Sequence, residues 1–172
     1  MKIRQHGRYQ YSPIVNRPSY DWPDRKKLAF YIALNIEHFS FGEGLGHTPT
    51  NPGRQPDVRN FAWRDYGLRV GIWRIFDLLD ELGLPACHLM NSSIYDYAAE
   101  IPERIRQRGD EFVGHGRTNS EQQSDYGEDD ERTLIDEVVS IFKKHEGNGP
   151  DGWMGPWISE SDVTPDLLKE AG

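Results

Sequence analysis

A chain of 172 residues, 36% hydrophobic and 28% charged, has the size and balance of one soluble domain with a sizeable core. Its net charge of −8 gives no general attraction to nucleic acid or anionic membrane, and no basic run or stacked-aromatic motif offsets it. Cys87 is the only cysteine, which excludes an intramolecular disulfide, and its place in an apolar run predicts a buried thiol.

The N-terminus lacks the apolar h-region of a secretory signal, and no window approaches a membrane span. The cytoplasm is the expected compartment. Residues 1–27 carry Tyr9, Tyr11, Pro13, Pro18, Tyr20, Trp22 and Pro23, which reads as an irregular aromatic arm ahead of a body at 28–172.

Residues 28–36 are almost continuously apolar, as in a strand of a parallel sheet covered by helices. The run ends in Glu37-His38. A loop of about 25 residues follows, rich in Gly and Pro, and loops of that length are usually functional or mobile. Its Gly42-Glu43-Gly44-Leu45-Gly46 run lacks the Lys and Ser/Thr of a phosphate loop, so it reads as a lid.

Apolar spacing predicts a helix over 63–82, closed by Gly83, then a strand over 84–90. A broken helical region follows, its second half opened by Pro102 and closed by Gly109. The next strand covers 111–114 and ends in His115. Arg117, Thr118, Asn119 and Glu121 come after it. An apolar strand that ends in a histidine and a polar loop is how an α/β protein presents chemistry at the C-terminal edge of its sheet. A helix over about 129–145, a short strand at 152–155 and a last helix with Thr164 as N-cap and Pro165 at N1 complete the order. Alternation of this kind predicts an α/β fold with parallel strands in about four βα units, half of what a closed barrel needs. The expected architecture is therefore an incomplete barrel, the first part of a longer one.

Three segments together resemble the polysaccharide deacetylase (NodB homology) superfamily: Asn35-Ile36-Glu37-His38, Gly114-His115-Gly116-Arg117-Thr118-Asn119, and Gly155-Pro156-Trp157 leading to the helix at 164–172. The resemblance is nearest to the cytoplasmic branch of metal-independent allantoinase and cyclic imide hydrolases. It covers most of residues 8–172. It implies a distorted (β/α) barrel of the polysaccharide deacetylase type and a hydrolase of non-peptide C–N bonds in small linear or cyclic amides and imides.

On that resemblance Glu37 takes the place of the general base, and His38 that of a carboxylate metal ligand. His115 matches the first of two metal-binding histidines, while Asn119 replaces the second. Pro156 and Trp157 match the third motif, but Met154 stands where an Arg that steadies the base is expected. Glu37 and His115 are thus the expected catalytic residues, and His38 and His115 the expected ligands of a divalent metal such as zinc. Arg117, Asn119 and Trp157 are expected to bind substrate, although Arg117 could equally pair with Glu121. His88, inside a strand, reads as a satisfied core histidine; His6, His47 and His145 read as solvated. Two alternatives stay open: a zinc-dependent deacetylase of N-acetylated sugars, and a non-catalytic half barrel. The expected partners are a small-molecule substrate and further copies of the chain in a homo-oligomer, with neither nucleic acid nor membrane.

Overall fold

The computed structural model describes residues 6–43 and 56–172. The backbone divides into two compact units, Met1–Tyr31 and Ile32–Gly172. The first holds short 3-10 turns at Ile14–Asn16 and Pro23–Arg25, the second closed by a bridge between Trp22 and Lys26.

The second unit holds four parallel strands, β1 (Ala33–Ile36), β2 (Cys87–Met90), β3 (Glu111–Gly114) and β4 (Gly152–Trp153). Their spatial order is their chain order. Each strand is laid beside the last, without the order reversal of a doubly wound sheet, which is how a (β/α) barrel grows. The helices are α1 (Val58–Tyr66), α2 (Ile72–Leu82), α3 (Ile94–Tyr97), α4 (Glu100–Arg108), α5 (Glu128–Glu146) and α6 (Thr164–Ala171). No described helix is long and apolar enough to cross a membrane.

Several boundaries differ from the sequence reading. The first strand is Ala33–Ile36, not 28–36; the apolar run crosses the division between the two units, so only its end pairs with β2. The helix expected over 63–82 starts at Val58, where the Asp57 carboxylate accepts from the Asn60 N–H at 3.1 Å. It passes through a π turn at Gly67–Gly71 before α2. The second strand starts at Cys87 rather than residue 84, because Pro85 cannot donate to a ladder. Pro102 lies inside the first turn of α4, which opens at Glu100. The fourth strand keeps only Gly152 and Trp153, and Val163 rather than Thr164 caps α6. The strand at Glu111–Gly114 and the glycine stops at Gly83 and Gly109, both left-handed, match the expectation.

One face of the sheet is covered. Ile36, Met90 and Phe112 pack with Phe76 of α2, Ile101 and Ile105 of α4, and Leu134, Val138 and Phe142 of α5. On the opposite face Ala33, Asn35 and Glu111 are exposed at its margins, Cys87 and Val113 are half-buried and Leu89 at its centre is buried. A parallel sheet normally buries both faces, so this is an arc of a barrel whose inner face is open along its margins. At the N-terminal end His88 is fully buried and bonds Asp110 at 2.9 Å; Asp110 also takes the Arg108 Nε–H at 2.7 Å. His88 is thus the core histidine its strand position predicts, bonded through Nε2, although its buried Nδ1 has no hydrogen-bond partner. His145 is exposed, as expected, with its ring stacked on Tyr95 at 4.3 Å. His47 and most of the glycine-rich lid lie outside the described residues.

Candidate active site

The in-register pairing of the strands extends one residue past their ends. The Asn91 N–H donates to Ile36 O, His115 N–H to Met90 O and Met154 N–H to Gly114 O. Glu37, Asn91, His115 and Met154 therefore form one row across the C-terminal edge. With side chains alternating along each strand, that row continues the open inner face.

Within it, Glu37 Oε1 lies 3.7 Å from His115 Nε2, longer than a hydrogen bond but within ion-pair distance once the ring is protonated. Asn35, two residues back on the same face, donates to Glu37 at 3.1 Å. When Nε2 is protonated, the His115 ring beside it holds the Glu37 carboxyl below the ordinary glutamate range. The Asn35 bond and the Arg64 charge act in the same direction, against burial.

His115 is 1% exposed. Its Nδ1 lies 2.5 Å from the Met154 carbonyl, and a carbonyl only accepts, so Nδ1 carries the hydrogen. Nε2 is buried, has no hydrogen-bond partner, and lies 3.7 Å from Glu37 Oε1. Gly116 permits the turn that follows. Its φ is +67°, and a Cβ there would stand 2.7 Å from Pro156 Cγ.

The other expected residues divide. Trp157 is at the site: its Nε1–H donates to Asn119 O at 3.0 Å, and its ring meets Phe39 edge-on at 6.3 Å. Trp157 has φ 63° and Ile158 φ 55°, a left-handed pair of non-glycine residues, and strain of this kind concentrates at functional sites. Asn119 is 2% exposed; its Oδ1 accepts from Asn91, its N–H donates to His38 O, and its carbonyl takes the Trp157 bond. Arg117 forms a bidentate pair with Glu121 at 3.0 and 2.9 Å and reaches Glu137 at 2.8 Å. This is the internal pairing that the sequence left open. His38 turns its ring elsewhere: Nδ1 meets Ser93 Oγ at 2.9 Å, and the ring stacks on Tyr97 at 4.2 Å. Burial lowers its pKa.

A zinc site needs three protein ligands at least. Among the described residues no three His, Cys, Asp or Glu side chains come together as such a set. Glu37 and His115 converge, His38 is bound to Ser93, and the Asn119 oxygen is committed to Asn91. The donor set of the described residues does not fit a resident zinc ion.

Two residues were missed in the sequence. Arg64, on α1, shares with Glu37, Asn35, Phe39 and Trp63 the wall of a cavity of about 340 Å³. Its guanidinium lies 4.2 Å over the Phe39 ring and 6.0 Å from that of Trp157. Met154 stands where the resemblance implies an Arg, and the charge of Arg64 acts on Glu37 from α1. The second is Asn91, fully buried between Glu37 and His115.

No family model matches the chain. It is 27% identical over 103 residues to a peptidoglycan deacetylase of Helicobacter pylori, which covers 60% of this chain and 35% of that protein. Its fold superposes on PuuE allantoinase with a TM-score of 0.72 and 21% identity, over 95% of this chain and 59% of that one. On a protein assigned as a polysaccharide deacetylase from Mycobacterium smegmatis the TM-score is 0.71 with 24% identity, over 88% and 51%. The fold is the one seen in these polysaccharide deacetylase and allantoinase structures, as the resemblance implied. The chain spans about half the length of these solved structures and 35% of the curated relative.

Proposed function

We propose that the protein is a hydrolase of non-peptide C–N bonds in small linear or cyclic amides and imides. The observation that carries this reading is the Glu37–His115 pair: an ionised carboxylate facing the bare nitrogen of a buried imidazole at 3.7 Å. Glu37 takes a proton from water as the water oxygen bonds the substrate carbonyl carbon. That proton passes to His115 Nε2, and the imidazolium stabilises the tetrahedral oxyanion and then protonates the departing nitrogen as the C–N bond breaks. The Met154 carbonyl supports the charged ring through Nδ1–H. Arg64 orients the carbonyl oxygen from the cavity wall, and Trp157 packs behind it with Phe39.

An activity panel of cyclic imides, ureides, linear amides and acetylated sugars, run with wild type and Glu37→Gln, tests the reading. Turnover of an imide or ureide that Glu37→Gln abolishes supports it. Turnover of none of these substrates by wild type sinks it. The likeness to a peptidoglycan deacetylase favours a second reading, a zinc-dependent deacetylase of N-acetylated sugars with ligands beyond the described residues. Stoichiometric zinc in purified wild type that is lost in His115→Ala would establish that reading in place of the first.

A further inference from the structure

Glu37 and His115 leave strands that are not neighbours, because β2 runs between β1 and β3. Whatever fixes their spacing must act from the exit of β2. The residue there is Asn91, and its amide is used in three directions. Oδ1 accepts from the His38 N–H at 2.7 Å, the residue after Glu37. Nδ2 donates to the His115 carbonyl and, at 3.0 Å, to Asn119 Oδ1.

The backbone of Asn91 is tied as well. Its N–H donates to Ile36 O, and its carbonyl accepts from Ile94 N–H as α3 begins. One fully buried side chain thus bonds the residue after the carboxylate, the backbone of the imidazole and the strut that carries Trp157. An alanine here would leave buried donors and acceptors unpaired. An aspartate would set a carboxylate against two oxygens.

We propose that Asn91 is the positioning residue of the Glu37–His115 pair, holding the exits of β1 and β3 at the separation that brings the carboxylate and the imidazole together. This rests on the reading of that pair as the working centre, but its test does not depend on turnover. Two NMR signals report the geometry. One is solvent exchange of the His115 ring Nδ1–H, protected by Met154 O. The other is the through-space contact between the Glu37 methylenes and the His115 ring.

Asn91→Ala is compared with Ile101→Val, a fully buried α4 change that lowers stability without touching the row. Asn91→Ser replaces the alanine variant if that does not fold. The expected result is ring N–H exchange faster by about tenfold, the scale of one lost net hydrogen bond, with loss of the Glu37–His115 contact, while Ile101→Val keeps both. The proposal is overturned if the Asn91 variant behaves like Ile101→Val. It is also overturned if neither Asn91 variant folds, since a positioning role leaves the fold standing. A wild type with no activity on any substrate would refute the function and leave this inference intact.

Discussion

Glu37 and His115 meet 3.7 Å apart although a whole strand, β2, separates the strands they leave. The contact exists because each is the first residue past its strand, on the face where side chains point inward and converge. Its charge balance sets a pH dependence. The Glu37 carboxyl is held below its ordinary 4.5, so it stays ionised, and able to accept a proton, to a lower pH than a free glutamate. A group with a depressed folded pKa contributes stability that is present above its unfolded value and lost as pH falls through the folded one. The Glu37 contribution to stability is therefore kept down to pH 4.5 and lost only below it in wild type, and in His115→Ala that loss moves to higher pH. A pH–stability curve with the same acid limb in His115→Ala would show that the two side chains do not interact.

Trp157 occupies a left-handed backbone, φ 63°, which costs an L-residue about 1–2 kcal/mol relative to the right-handed helix and glycine almost nothing. Trp157→Gly should accordingly unfold at higher denaturant than Trp157→Ala, by about 1 kcal/mol. Both variants lose the wall and should raise KM. Equal stability of the two would mean that the turn is relaxed.

Arg117 is saturated by Glu121 and Glu137. Arg117→Ala should lower stability by roughly 1–2 kcal/mol, given a bidentate pair that is still partly open to solvent. KM should not change. A raised KM with unchanged stability would return Arg117 to the substrate.

The pair His88–Asp110 lies at the opposite end of the sheet from the site and serves the fold. Burial lowers the pKa of His88, against the pull of Asp110. Burial pushes Asp110 up, but the bonds from His88, Arg108 and the Ala86 N–H bring it below its ordinary value. His88 is therefore neutral and donates through Nε2. Because its folded pKa is depressed, its contribution is full above about pH 6.5 and is lost as pH falls below that value. His88→Ala should cost about 2–4 kcal/mol and flatten that part of the pH–stability curve. An unchanged curve between pH 5 and 7, on the order of one pH unit either side of pH 6, would contradict the assignment.

What the sequence made legible follows from local signals. Phe112-Val113-Gly114-His115 is an apolar run with a histidine at its end, and that pattern alone places His115 at the sheet edge, where the structure has it. Glu37 was readable for the same reason. Residues 28–32 misled because an apolar run carries no mark of where pairing starts. Asn91 was not legible: in Met90-Asn91-Ser92 it looks like any polar residue after a strand, and its three bonds reach residues 24 to 53 positions away. Arg64 was hidden because it sits in a helix whose start was placed one residue before it, so nothing pointed it toward β1. The pairing of Arg117 with Glu121 could be named from sequence, but choosing it over substrate needed the bidentate geometry.

The most direct test of the account is kcat/KM of Glu37→Gln against wild type on the best imide or ureide substrate, with folding of both checked by thermal unfolding. Glutamine keeps the shape and the Asn35 contact but cannot accept the proton of water, so the account predicts a loss of at least about 100-fold with little change in stability. A Glu37→Gln enzyme that hydrolyses at the wild-type rate would contradict it.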